Sequence, residues 1–101
     1  MNEAAKKTQD LLVRAVTGQG VTVDELLACA LEVSEACHVG CMIATGFDNA
    51  PAPPGLKRAD VILEVRNQSL AAHLLLEIAR ALEAKEPVPE MVRQTISLMA
   101  A

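Results

Sequence analysis

The stretch from Leu56 to Lys85 is apolar at helical spacing on two sides. At 100° per residue, Val61, Val65, Ala72, Leu75, Ala79 and Leu82 fall on one stripe. Leu63, Leu70, Leu74 and Ala81 fall on a second, well round the helix from the first. Only a narrow band stays polar: Arg66, His73, Glu77 and Arg80, within about 60° of one another. A surface helix needs one apolar stripe, so a helix with two is covered on both sides. In a chain this short the second cover is expected to be another subunit. The expected interface residues are Leu63, Leu70, Leu74, Ile78 and Ala81.

The remaining pattern predicts three more helices. The first spans about 4–17, with Leu11, Leu12, Ala15 and Val16 apolar and Gly18 as its stop. The second, about 22–45, has the clearest start. Thr22-Val23-Asp24-Glu25 fits a capping box, and Val21 with Leu26 fits a hydrophobic staple. Its apolar stripe is Val23, Leu26, Leu27, Ala30, Val33, Cys37, Cys41 and Ala44. Gly40 inside it costs about 1 kcal/mol relative to Ala and marks close helix packing. A proline-rich linker, 47–55, leads to the third helix, about 57–85. Pro87-Val88-Pro89 ends that helix and opens a fourth, about 89–99, with Val88, Met91, Val92, Ile96 and Met99 on one face. Val61-Ile62-Leu63-Glu64-Val65 has strand propensity, but the helical spacing runs unbroken to Leu82. The expected fold is all-α, one domain over 1–101. Two long helices form a hairpin flanked by shorter ones, and dimerisation completes a four-helix-bundle-like core.

Composition narrows the function. Of 101 residues, 51% are hydrophobic and Phe47 is the only aromatic, so the core is aliphatic and no stacking platform for bases exists. The formal charge of −4 and the scattered basic residues lack the footprint of a nucleic-acid or anionic-lipid binder. The polar start, Met1 to Lys7, has no hydrophobic signal region. Glu64, Arg66, Glu77 and Arg80 interrupt the best candidate for a membrane span. These features predict a soluble, cytoplasmic protein with no membrane and no nucleic-acid partner. Three cysteines without a signal region predict free thiols.

Cys37 and Cys41 lie one helical turn apart, so their thiols point the same way. They admit two readings. Cysteine packs as a small hydrophobe, and both sit on the apolar stripe. Thiolates also suit copper(I) or zinc, and Cys37-His38-Val39-Gly40-Cys41 resembles a metal half-site or redox pair. One chain offers two good ligands where structural zinc takes four. A dimer would supply the pair twice, with His73 of the third helix as a further candidate ligand. Cys29 lies two turns from Cys37, too far to share an ion. The stripe Arg66, His73, Glu77, Arg80 reads either as a polar binding strip or as a solvated face held by weak helix pairs. No catalytic constellation and no cofactor signature is present, so an enzyme is not expected.

Gly20-Val21 followed by Leu26 and Ala30, then Leu70-Ala71-Ala72-His73-Leu74-Leu75, Ala79 and Ala81-Leu82, resembles a class of short bacterial helical-hairpin proteins of unknown function. The resemblance covers about Gly20 to Leu82 and implies a helical hairpin. It assigns no activity and no site residue. The sequence reading is thus a homodimeric helical protein acting by association with itself and with a protein partner, as adaptor, regulator or inhibitor. Its rival is a thiolate metal or redox module built on Cys37 and Cys41.

Overall fold

The structure, a computed structural model, describes residues 3–47 and 54–100. It contains helices α1 (Glu3–Val16), α2 (Val23–Gly46), α3 (Arg58–Ala84) and α4 (Glu90–Ala100), with no strand among the described residues. Every boundary lies within one residue of its expected position. Most of the 47–55 linker, including Asp48, Asn49, Pro51 and Pro53, lies outside the described residues.

Local chemistry sets the helix ends. Thr22 is the extended N-cap of α2, and its hydroxyl oxygen accepts from the Glu25 N–H at 3.1 Å. That satisfies one of the four donors a helix start leaves open. The Glu25 carboxylate reaches Arg14 of α1 at 3.9 Å. At the end of α1, Gly18 takes φ 74° and the Gln19 N–H reaches the Arg14 carbonyl at 3.0 Å, a Schellman closure. The end of α3 uses the same closure. There the left-handed position holds Lys85, at φ 57°, and the Glu86 N–H reaches the Ala81 carbonyl at 2.9 Å. The helix therefore stops two residues before Pro87, by a turn that no glycine in the sequence announces.

The hairpin of α2 and α3 is the frame, and these two helices share the most extensive contact in the chain. Gly40 sits at a close approach of the two helices. A Cβ there would come within 2.5 Å of Val65 Cγ2, so the glycine is a packing requirement. Across one end of the hairpin lie α1 and α4, which pack on each other and on α3. The core forms at this end from all four helices: Leu11, Leu12, Leu26, Cys29, Ala30, Leu74, Leu75, Ile78, Ala79, Val92 and Ile96. Met91 points away and is 78% exposed, so the α4 face is narrower than its spacing suggested.

One expectation is corrected here. Leu74, Ile78 and Ala81 are at most 2% exposed within the single chain. Their half of the second α3 stripe is covered within the chain, where α1 and α4 pack on α3, so these three residues are not available to another subunit. The sequence pattern marked that stripe as buried but could not say that the short helices would bury it.

Two substitutions test these constraints. Gly40→Ala gains about 1 kcal/mol of helix propensity but forces a methyl against a stiff β-branched neighbour, an overpacking cost of about 1–3 kcal/mol. Urea denaturation at fixed protein concentration is expected to show a net loss. Adding Val65→Ala is expected to produce a double variant about 1 kcal/mol more stable than additivity allows. Lys85→Gly removes the left-handed penalty of about 1–2 kcal/mol and is expected to raise stability by about 1 kcal/mol in the same measurement.

Candidate association surface and thiol depression

The hairpin continues beyond the ends of α1 and α4, and its apolar residues continue with it. At 100° per residue, Leu63 and Leu70 carry on the face of Leu74, Ile78 and Ala81. They are 52% and 42% exposed. At the step where the cover ends, a cleft of about 490 Å³ opens, lined by Ala4 and Thr8 of α1, Val33 and Ala36 of α2, Gln68 and Leu70 of α3, and others. Gln68 Oε1 is buried beside this cleft with no hydrogen-bond partner. An unpaired buried acceptor costs about 1–3 kcal/mol, and this one lies at the α2–α3 contact, 3.9 Å from where a Cβ on Gly40 would stand.

Helix α2 adds to this surface. From Ala36 to Gly46 it carries no Asp, Glu, Lys or Arg. A helix apolar on all sides is normally buried, yet only Leu26, Cys29 and Ala30 of α2 are buried here. Leu31, Val39, Met42 and Ile43 are all exposed. Sequence reasoning followed the inward stripe and missed these outer residues. The signal was the eleven-residue run without a charge. By length and composition α2, and not α3, is the helix long and apolar enough to cross a membrane.

The expected site residues separate into two groups. Glu77 and Arg80 pair at 3.5 Å, and Arg80 also meets Glu86 at 3.5 Å. All three sit at the covered end of the hairpin, where Lys85 turns the chain back. Exposed pairs of this kind contribute about 0–1 kcal/mol, so this half of the stripe is a solvated face. Arg66 and His73 instead line a shallow depression with Cys37 and Cys41, together with Ile62, Val65, Ser69 and Leu70. The structure thus places His73 in the same depression as the two cysteines, although no three His, Cys, Asp or Glu side chains among the described residues converge as a metal cage.

The three thiols have different surroundings. Cys29 is buried, 3.6 Å from Thr8 Oγ1. Thr8 spends its own proton on the Ala4 carbonyl at 3.0 Å, which leaves the Cys29 thiol as donor in that contact. Cys37 is half-buried and directs its thiol at the Val65 carbonyl, 3.8 Å away. Burial pushes its pKa above the ordinary 9.0, and Cys41 opposes its ionisation further through charge and a hydrogen bond. Cys37 is therefore a protonated, weak nucleophile at neutral pH, which leaves a catalytic role for it without support. Cys41 is exposed.

Comparisons with family models, with curated proteins and with solved structures return no match to this chain. The surface and the depression are therefore interpreted from their own geometry.

Thiol labelling checks the environments. An alkylating reagent at pH 7.5 is expected to modify Cys41 first, Cys37 at least tenfold more slowly and Cys29 only in denaturant. The Cys37 rate follows its thiolate fraction, so it is expected to keep rising through pH 9. A plateau below pH 9 would contradict the raised pKa.

Proposed function

We propose that this protein acts by association, and that the uncovered half of the hairpin is where a second copy binds. The supporting observation is a surplus of surface. A compact monomer of 10.7 kDa exposes about 5,500 Å², whereas this chain exposes 6901 Å². Its radius of gyration is 15.2 Å, against about 12.7 Å for a compact domain of this length. The excess of about 1,400 Å² exceeds the roughly 800 Å² per partner that a standard stable interface buries.

A second copy suits this surface because two hairpins laid face to face make a four-helix bundle, each filling the layer that α1 and α4 leave open. Leu63 and Leu70 are its central contacts, with Ile43 and Ala36 on the α2 side. A membrane suits α2 less well. Glu32 and Glu35 fall near its midpoint, where each charge costs about 2.5–3.5 kcal/mol or more in a bilayer. The reading keeps the cytoplasmic, non-enzymatic character expected from the sequence, as well as its likeness to short bacterial helical hairpins. A protein partner would then meet the dimer as adaptor, regulator or inhibitor.

Sedimentation velocity decides it. The expected species at 50 µM is a dimer of twice 10.7 kDa. Leu63→Glu with Leu70→Glu is expected to give a monomer with unchanged far-UV circular dichroism, since both side chains are exposed in the single chain. A wild-type monomer at 50 µM, or a dimer that survives both substitutions, overturns the reading.

A further inference from the structure

We infer that Cys37 and Cys41 form a two-coordinate binding site for a soft monovalent cation of the copper(I) class, open to solvent in the depression between α2 and α3. Packing accounts for Cys29, which is buried against Thr8. It does not account for Cys41, which is exposed one turn from Cys37. Side chains four apart on a helix hold their Cβ atoms about 5–6 Å apart. Two sulfurs on such a base can close on one ion from opposite sides, with thiolate bonds near the roughly 2.3 Å known for zinc.

The chemistry of the depression selects the ion. Thiolates favour copper(I) over hard cations. With no third or fourth ligand converging among the described residues, a tetrahedral zinc site is not assembled in one chain, whereas a two-coordinate ion needs no more than this pair. Binding is a proton exchange without redox change. Each thiol releases its proton to solvent, two copper–sulfur bonds form, and the site carries a net charge of −1. Its residues suit that charge: Arg66 and His73 line the depression, and among the described residues no carboxylate does. Ile62, Val65 and Leu70 supply an apolar floor. The one contact given up is the long 3.8 Å donation from Cys37 to Val65. The site opens on the flank of Ile62, Arg66 and His73, turned from Leu63 by about 60–100° round α3, and shares Leu70 with the proposed dimer surface.

The test is an anaerobic titration of the reduced full chain with copper(I) against a chromophoric copper(I) chelator. The expected result is one copper(I) per chain, with X-ray absorption showing two sulfur neighbours. Cys41→Ser and Cys37→Ser are each expected to weaken binding at least 100-fold. Cys29→Ser and His73→Ala are expected to stay within about threefold of wild type, all with unchanged helix content by circular dichroism. Any of four results overturns the proposal: no copper beyond that taken by the Cys37→Ser, Cys41→Ser double variant; three or four sulfur neighbours; one copper per two chains; or a 100-fold loss in His73→Ala.

Discussion

Everything in this molecule hangs on the long contact between α2 and α3. Neither helix is stable by propensity alone in water, because helix nucleation is costly and most helical stability comes from packing an apolar face. Here the two faces meet along the hairpin, and Gly40 removes the side chain that would hold them apart at Val65. The close approach there brings the residues of α2 and α3 that flank it into one surface. Leu63 lies on the outer face of α3, and Cys37 and Cys41 share a depression with Arg66, Leu70 and His73. A wider crossing would separate both groups.

The short helices decide how far the hairpin is buried. Helices α1 and α4 pack on each other and on α3, so they close a core at one end and stop. Half of the second α3 stripe becomes interior and half stays at the surface, although the sequence writes both halves in the same residues. The asymmetry leaves Leu63 and Leu70 at the surface of an object 49 Å long and 25 Å wide. Scattered exposed leucines need no explanation, but a contiguous apolar patch marks an interaction site. Val39, Met42, Ile43, Leu63 and Leu70 belong to the uncovered stretch of the hairpin.

The thiols show the same division between position and setting. Their spacing places Cys37 and Cys41 on one side of α2, and this could be read directly. Their burial could not be. Cys29 lay off the inward stripe by spacing and is a core residue, because α1 covers it and Thr8 accepts its proton. Cys41 lay on the stripe and is exposed, because no helix covers that turn. Helical phase alone would have ranked the two in the opposite order.

What the sequence by itself determined is the set of helices and their ends. Capping residues, glycine stops and 3.6-residue periodicity act through neighbours a few residues away, so local order carries them. Thr22 and Gly18 are the plain cases, and Lys85 is the exception, a left-handed cap held by its turn and not by residue type. The sequence also determined that α3 is apolar on two sides, and that Gly40 marks a close approach. Tertiary structure alone decided which element covers each side. Leu70 and Leu74 have the same chemistry and nearly the same phase, yet one is 42% exposed and the other 2%. The difference is the reach of α1 and α4, short helices whose length and placement over the hairpin are long-range facts. The same holds for the depression: His73 lines it together with Cys37 and Cys41 through the register of two helices, which no local pattern specifies.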